Sequence, residues 1–367
     1  MTSSSTTDFT STDDDTGSTV DLRDPGELLA ALPHLLGFEP VESLILIGHR
    51  GEGGKRIGNV VRADLPEPGG EVALAQRLLD PVAQDSVAVT AAVVGRRRPG
   101  ARSAAPVPPS GSAVAAVGEV FARRGLPLVH ALWVPEIRAG APWRCYEDAC
   151  CSGHLPDPQG TVMAAITTHA GLVTHASRAA MARQLDPVDP EVLTRRTALL
   201  RRRAAHGRQD DEAAFRRGRA AIRTALARTR DGTFTVSDTE VVELAAALAV
   251  PSVRDACLAT ALPAGGALAL VAERLWLRLT RHTPAPERAQ PATLLAYSAY
   301  VRGEGAFAGM ALEVARESDP EHLLAQLLSQ ALDHGLPPET IAGLARTCDV
   351  EPIWEHGEAG TPEQSAN

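Results

Sequence analysis

Leu28-Leu29-Ala30-Ala31-Leu32-Pro33-His34-Leu35-Leu36-Gly37-Phe38-Glu39-Pro40, running into Ser43-Leu44-Ile45-Leu46-Ile47-Gly48, lays out the first helix and the first strand of the main core. Ahead of it, Asp24-Pro25-Gly26-Glu27 supplies an N-cap acceptor, a proline at the first helical position and an acid at the third, so a helix starts near Pro25. Leu28, Leu29, Leu32, Leu35 and Leu36 then fall on one apolar stripe. Pro33 lacks the amide that would bond Leu29, which predicts a kink or a restart there. Gly37 is placed as a left-handed C-cap with Phe38 folding back on it, and Pro40 forbids continuation. The unbroken apolar run from Leu44 to Ile47 suits a strand buried on both faces.

After this strand, Gly48 to Lys55 reads as a turn and Ile57 to Leu65 as a second strand, so the two strands form an antiparallel hairpin. Arg62 and Asp64 share one face of that second strand. They are either a polar pair at a pocket or a mutually paired edge. Helical periodicity over Glu71 to Gln84 and Ala113 to Arg124 alternates with strand patterns over Ser86 to Val94 and Leu126 to Val134. That alternation predicts crossover units and a mixed, partly parallel sheet. Residues 96 to 111, rich in Arg and then in Pro, Ser and Ala, read as a loop. Neither G-x-G-x-x-G nor G-x-x-x-x-G-K-[ST] follows any strand, so no nucleotide fingerprint is present.

Beyond residue 158 the pattern is helical. Ser177 caps one helix, Asp189-Pro190-Glu191 opens another, and Ser237-Asp238-Thr239-Glu240 is a capping box. Residues 191 to 230 hold 12 Arg against 4 acids, a net of +8, which leaves −9 − 8 = −17 for the remainder. This stretch is either a surface for nucleic acid or an arginine-rich face balanced by acids elsewhere; aromatic side chains that would stack bases are missing apart from Phe215. Leu295, Ala296, Ala299, Ala308, Leu312, Ala315 and Pro320 stand at the offsets of a tetratricopeptide hairpin. A single such match predicts a repeat-like helical layer whose groove would take a peptide or protein partner.

The segment LLAALPHLLGFEPVESLILIG, followed by VRADLP at Val61 to Pro66, resembles the opening of an actinobacterial family known only as a domain of unknown function. The likeness continues through the Cys145 to Cys151 cluster and through PATLLAYSAYVRGEGAFAGMALEVA, so it covers most of residues 22 to 347. It implies kinship and carries no activity, ligand or catalytic residue.

At 367 residues, 44% hydrophobic and 22% charged, the chain has the composition of a globular protein with room for two domains. The expected division is a disordered acidic tail over 1–20, an α/β domain over 21–157, an all-α domain over 158–347 and a flexible tail over 348–367. Residues 1–20 have too few apolar side chains to offset their ordering entropy. The chain shows neither a signal-peptide pattern nor an apolar run long enough to span a bilayer, which predicts a cytoplasmic protein with no membrane contact. Five cysteines, an odd number, fit a reducing compartment.

Trp143 to His154 gathers three thiols, an imidazole and two carboxylates within twelve residues. Cys145, Cys150, Cys151 and His154 are the candidate metal ligands, with zinc the metal that such a donor set suits. Their C-x4-C-C-x2-H spacing differs from the C-x2-C knuckle that wraps zinc readily. The other readings are a redox pair of Cys145 with Cys150 or Cys151, a nucleophilic cysteine assisted by a histidine, and buried structural thiols. His34 is the candidate general base, with Arg62 and Asp64 beside it as the remaining candidate catalytic residues, against a purely structural reading of each. No complete catalytic motif occurs, so the leading expectation is a non-catalytic binding or regulatory module. The rival is an enzyme with its site by the N-terminal sheet and the cysteine cluster.

Overall fold

The computed structural model describes residues 2–5, 24–96, 108–204, 212–347 and 353. The chain folds as two compact units: Met1–Arg183 with Gly303–Gly309 and Ser329–Pro338, and Gln184–Arg302 with Met310–Leu328 and Glu339–Asn367. Residues 158–183, expected with the helices, thus belong to the first unit.

The first unit is built on a mixed sheet. Its strands are β1 (Thr2–Ser5), β2 (Ser43–Arg50), β3 (Arg56–Asp64), β4 (Ala88–Val94), β5 (Leu128–Val134), β6 (Pro142–Cys145) and β7 (Ser152–His154), in the order β1-β3-β2-β4-β5-β6-β7. β2 and β3 form the expected antiparallel hairpin, β2 also pairs β4 antiparallel, and β4 and β5 are parallel. Within the acidic tail expected to be disordered, Thr2–Ser5 runs antiparallel to β3. Its backbone covers what would otherwise be an open sheet edge. The rest of that tail, the heart of the 96–111 loop, and the C-terminal tail apart from Ile353 lie outside the described residues.

Helix α1 (Pro25–Leu36) starts where its cap predicts: the Asp24 carboxylate accepts from the Gly26 amide at 2.8 Å and the Glu27 amide at 3.3 Å. It runs through Pro33 without ending and stops at Gly37, whose φ of 76° is open to glycine at little cost. α2 (Glu71–Ala83) connects β3 to β4 across β2, and α3 (Gly111–Ala122) connects β4 to β5. Both crossovers travel the same way along the sheet, and right-handed crossovers then place both helices on one face. That face is a single core: Leu44, Leu46, Val61, Val89, Ala91 and Val93 pack with Leu74, Leu78, Val117 and Phe121. The alternate residues Ile45, Ile47, Val60 and Arg62 point the other way and are buried too. The prediction that β2 is buried on both faces therefore holds.

Asn59 closes the same unit by donating to Pro81 O at 2.7 Å and Gly335 O at 2.9 Å. Gly335 has a φ of +64° and would bring a Cβ to 2.4 Å from Pro81 O, so a side chain there is excluded twice over. α4 (Val162–His169) packs on α1, and α5 (Arg178–Ala182) is capped by Ser177 as its sequence predicts.

The remaining helices are α6 (Pro190–Ala204), α7 (Glu212–Arg230), α8 (Asp238–Leu248), α9 (Pro251–Leu258), α10 (Ala267–His282), α11 (Ala289–Val301), α12 (Gly305–Ser318), α13 (Leu323–Asp333) and α14 (Pro338–Thr347). Within the second unit α7 packs on α8 and α10, and α10 on α11, around fully buried Trp276, Tyr297 and Tyr300. The capping box at Ser237 and Glu240 is fully made. The chain is thus a mixed α/β sheet followed by a helical region. Among the described residues no helix is long and apolar enough to cross a membrane.

Candidate functional site

The apolar stripe of α1 carries His34 into the core, where it is only 7% exposed. Its Nε2 lies 3.0 Å from Pro158 O, and its Nδ1 lies 3.0 Å from Thr174 Oγ1. A carbonyl oxygen only accepts, so Nε2 carries the proton and Nδ1 accepts from the Thr174 hydroxyl. The Thr174 hydroxyl is thus set against the second ring nitrogen of His34. Thr174 itself is held by a short stitch, in which His175 donates to Gly37 O at 2.8 Å and Glu39 donates to His175 O at 2.9 Å.

Arg62 and Asp64, two apart on β3, share a face as the alternation predicts, and they pair with each other at 2.6 Å. Arg62 also donates from Nε to Ser43 Oγ at 2.8 Å and from Nη2 to Val41 O at 3.2 Å. Ser43 donates its own proton to Val41 O at 2.7 Å. Burial pulls the Arg62 guanidinium below its ordinary value, and the Asp64 charge opposes that pull. Burial pushes the Asp64 carboxyl up, but the positive charge around it, that of Arg62 first, outweighs this, and the group lies below the usual carboxylate range. The side chain of Asp64 is 59% exposed, so this pair stands at the rim of the sheet with its arginine inside and its acid outside. His34 bonds to Pro158 and Thr174, so it forms no hydrogen-bonded constellation with Arg62 and Asp64.

The cysteine cluster occupies a second hairpin. β6 pairs β5 and β7 pairs β6, with Pro142 opposite His154, Trp143 opposite Gly153 and Arg144 opposite Ser152. One step further, Cys145 faces Cys151, and the Cys145 amide donates to Cys151 O at 2.9 Å. Asp148 shapes the turn between them, accepting from the Cys150 amide at 2.8 Å through its carboxylate and from the Cys151 amide at 3.1 Å through its carbonyl. Cys145 is buried, Cys151 half-buried and Cys150 exposed. Burial pushes the Cys151 thiol up, and the neighbouring Cys145 thiol adds to the rise. The hairpin therefore brings Cys145 and Cys151 together, leaves Cys150 in the turn and sets His154 at the opposite end of the ladder. Among the described residues no three His, Cys, Asp or Glu side chains converge in a metal-holding group. Cys257 is buried on α9 as expected, and Cys348 lies outside the described residues.

The arginine stripe is partly countered by neighbouring acids. Arg195 and buried Arg196 share Asp238, at 2.5 and 2.9 Å, and Arg228 pairs with Glu240. Arg196 also donates to Val236 O and His282 O. The His282 ring, half-buried beside Arg196, Arg281 and Arg278, falls to a pKa of about 4 and is neutral at pH 7.

Two polar groups carry no signal in the sequence. His49, 6% exposed on β2, has Nε2 at 2.8 Å from Thr90 Oγ1 and Nδ1 at 3.2 Å from Gly54 O. Thr90 in turn faces His130 across the parallel pair. Glu42, at a φ of 43°, accepts from the Arg96 amide at 3.0 Å beside Gly95. Neither has a local motif; both become visible only when strands distant in sequence are laid side by side.

A family model described as Domain of unknown function (DUF4192) matches residues 25–339, from the first residue of α1 into α14. No curated protein and no solved structure matches the chain.

Proposed function

We infer that this chain, which belongs to the family described as Domain of unknown function (DUF4192), is a non-catalytic binding or regulatory protein. Both ring nitrogens of His34 are bonded within the fold, and Arg62 is engaged by Asp64, Ser43 and Val41. The observation that carries the reading is an exposed apolar pair on α13, where Leu323 and Leu327 are 66% and 51% exposed, one turn apart. They follow the tetratricopeptide-like offsets of α11 and α12, and a protein partner presenting apolar side chains is the occupant we assign to them. Nucleic acid is the weaker choice, because arginines of α6 and α7 already have acidic partners. Four described cysteines are free thiols, which fits placement in the cytoplasm.

The test compares wild type with Leu323→Glu/Leu327→Glu for capture of a partner from cells that make the protein. A partner retained by wild type and lost by the double variant, with folding intact by circular dichroism, is the expected result. Turnover of a metabolite that disappears in His34→Gln or Arg62→Met would overturn the reading in favour of an enzyme.

A further inference from the structure

The second hairpin places two thiols opposite each other, where a bond between them needs the strands to close by about 1 Å. Cys145, the last residue of β6, and Cys151, just ahead of β7, stand one step beyond the Arg144–Ser152 pair in the same register, and a backbone hydrogen bond of 2.9 Å joins them. Directly opposed residues of an antiparallel pair present their side chains on the same face, with α-carbons about 5.5 Å apart where the backbones bond. A disulfide accepts α-carbon separations of about 4.4–6.8 Å and β-carbon separations of about 3.5–4.5 Å, so the α-carbons are within range and the β-carbons, about 5.5 Å apart at such a position, must draw together. The remaining chemistry is asymmetric: Cys151 is half-buried and reachable, whereas Cys145 is 6% exposed.

We propose that Cys145 and Cys151 are a reversible dithiol–disulfide site that reacts with small organic disulfides, Cys151 attacking and Cys145 resolving. In the first step the Cys151 thiolate attacks one sulfur of the small disulfide; a mixed disulfide forms and one small thiol leaves. In the second step Cys145 loses its proton and attacks Cys151 Sγ, which forms the internal bond and releases the second small thiol. Two protein thiols are oxidised and one small disulfide is reduced to two thiols. Cys150, in the turn and outside the register, is not the resolving partner. The internal bond closes the turn from Tyr146 to Cys150, whose two ends are already tied by Tyr146 to Pro109 O and by Asp148 to Cys151. The site does not depend on the binding surface of α13.

The experiment treats the full chain carrying Cys150→Ser and Cys348→Ser with oxidised glutathione and follows its mass. The expected product has lost two hydrogens, carries no glutathione, and after cleavage beside Glu147 yields the Cys145 and Cys151 peptides joined. Adding Cys145→Ser arrests the reaction at a glutathione adduct on Cys151, and a dithiol reverses both products. Cys257, fully buried, serves as the internal control: its thiol stays free as long as the chain is folded during the reaction. The proposal is overturned if the folded chain stops at the adduct with Cys145 present, keeps both thiols, or joins Cys257 instead.

Discussion

Two antiparallel hairpins flank the parallel pair β4 and β5, and they are built on opposite terms. In the first, β2 and β3 pair over most of their length and Leu44 to Ile47 are at most 1% exposed, so apolar burial on both faces fixes the register. In the second, β6 and β7 have four and three residues, Ser152 and His154 are exposed, and the register is held by the Asp148 turn and by Trp143 lying over Gly153. A Cβ on Gly153 would come within 2.9 Å of the Trp143 ring, so that strand position is reserved for glycine by close approach. The first hairpin closes its polar groups on one another. The second leaves a half-buried thiol against a buried one. Strands that make the core and strands that hold accessible chemistry are thus distinct in this protein.

Stability should show this contrast most strongly. Leu46→Ala removes a fully buried side chain that packs with α2 and α3, and should cost about 3 kcal/mol of unfolding free energy. Ser152→Ala, on an exposed position of the second hairpin, should change it by less than about 0.5 kcal/mol. Chemical denaturation of both variants tests the contrast, and equal losses would show that the second hairpin is part of the same cooperative core.

An acid response probes the first hairpin from its polar side. Burial holds the His49 imidazole below its ordinary range; the nearby His130 lowers it further, and the bond to Gly54 O opposes them. The folded pKa is thus lower than the unfolded one, so the stabilisation is complete above the unfolded value near 6.5 and is lost as pH falls through the folded value. His49→Gln keeps a donor and an acceptor without titrating. It should cost about 1 kcal/mol at pH 7 and show a shallower loss of stability than wild type between neutral pH and mild acid. Denaturation midpoints across that range decide the matter, and parallel curves for the two proteins would remove His49 as the cause.

How much of the molecule is legible in its sequence depends on where the determining forces lie. The Asp24 cap, the Gly37 stop, the doubly buried β2 and the capping box at Ser237 are local, and a few neighbouring residues are enough to predict each. The second hairpin does not register as strands at all, because three or four residues are too few for alternation to show. Arg62 and Asp64 fall on one face by period two, a local property; that Arg62 also reaches Ser43 and Val41 depends on pairing β3 with β2. His34 reads as available in the sequence because its partners, Pro158 and Thr174, lie more than a hundred residues away. The cysteine spacing discloses three thiols and an imidazole but not which two are opposed. That follows from the hairpin register alone.

The weakest of the predicted effects bears on the second hairpin and runs to the other side of neutrality. Burial is the first cause that raises the Cys151 thiol, the Cys145 thiol is the second, and the Asp148 charge adds to both. Only the thiolate attacks, so the alkylation rate of Cys151 in a Cys150→Ser background should climb about tenfold per pH unit from neutrality until its raised pKa is reached. Cys145→Ala removes the second cause and leaves the first, since the remaining walls of the site stay in place. The thiolate fraction of Cys151 at pH 7 should then rise, and its reaction with iodoacetamide should quicken by a few fold while the shape of the pH profile is retained at lower pH. A rate at pH 7 equal to that of an unhindered model thiol would show Cys151 to be neither buried nor coupled. A rate unchanged by Cys145→Ala would show that the opposed thiols do not sense each other, and the hairpin would then differ from β2 and β3 in exposure alone.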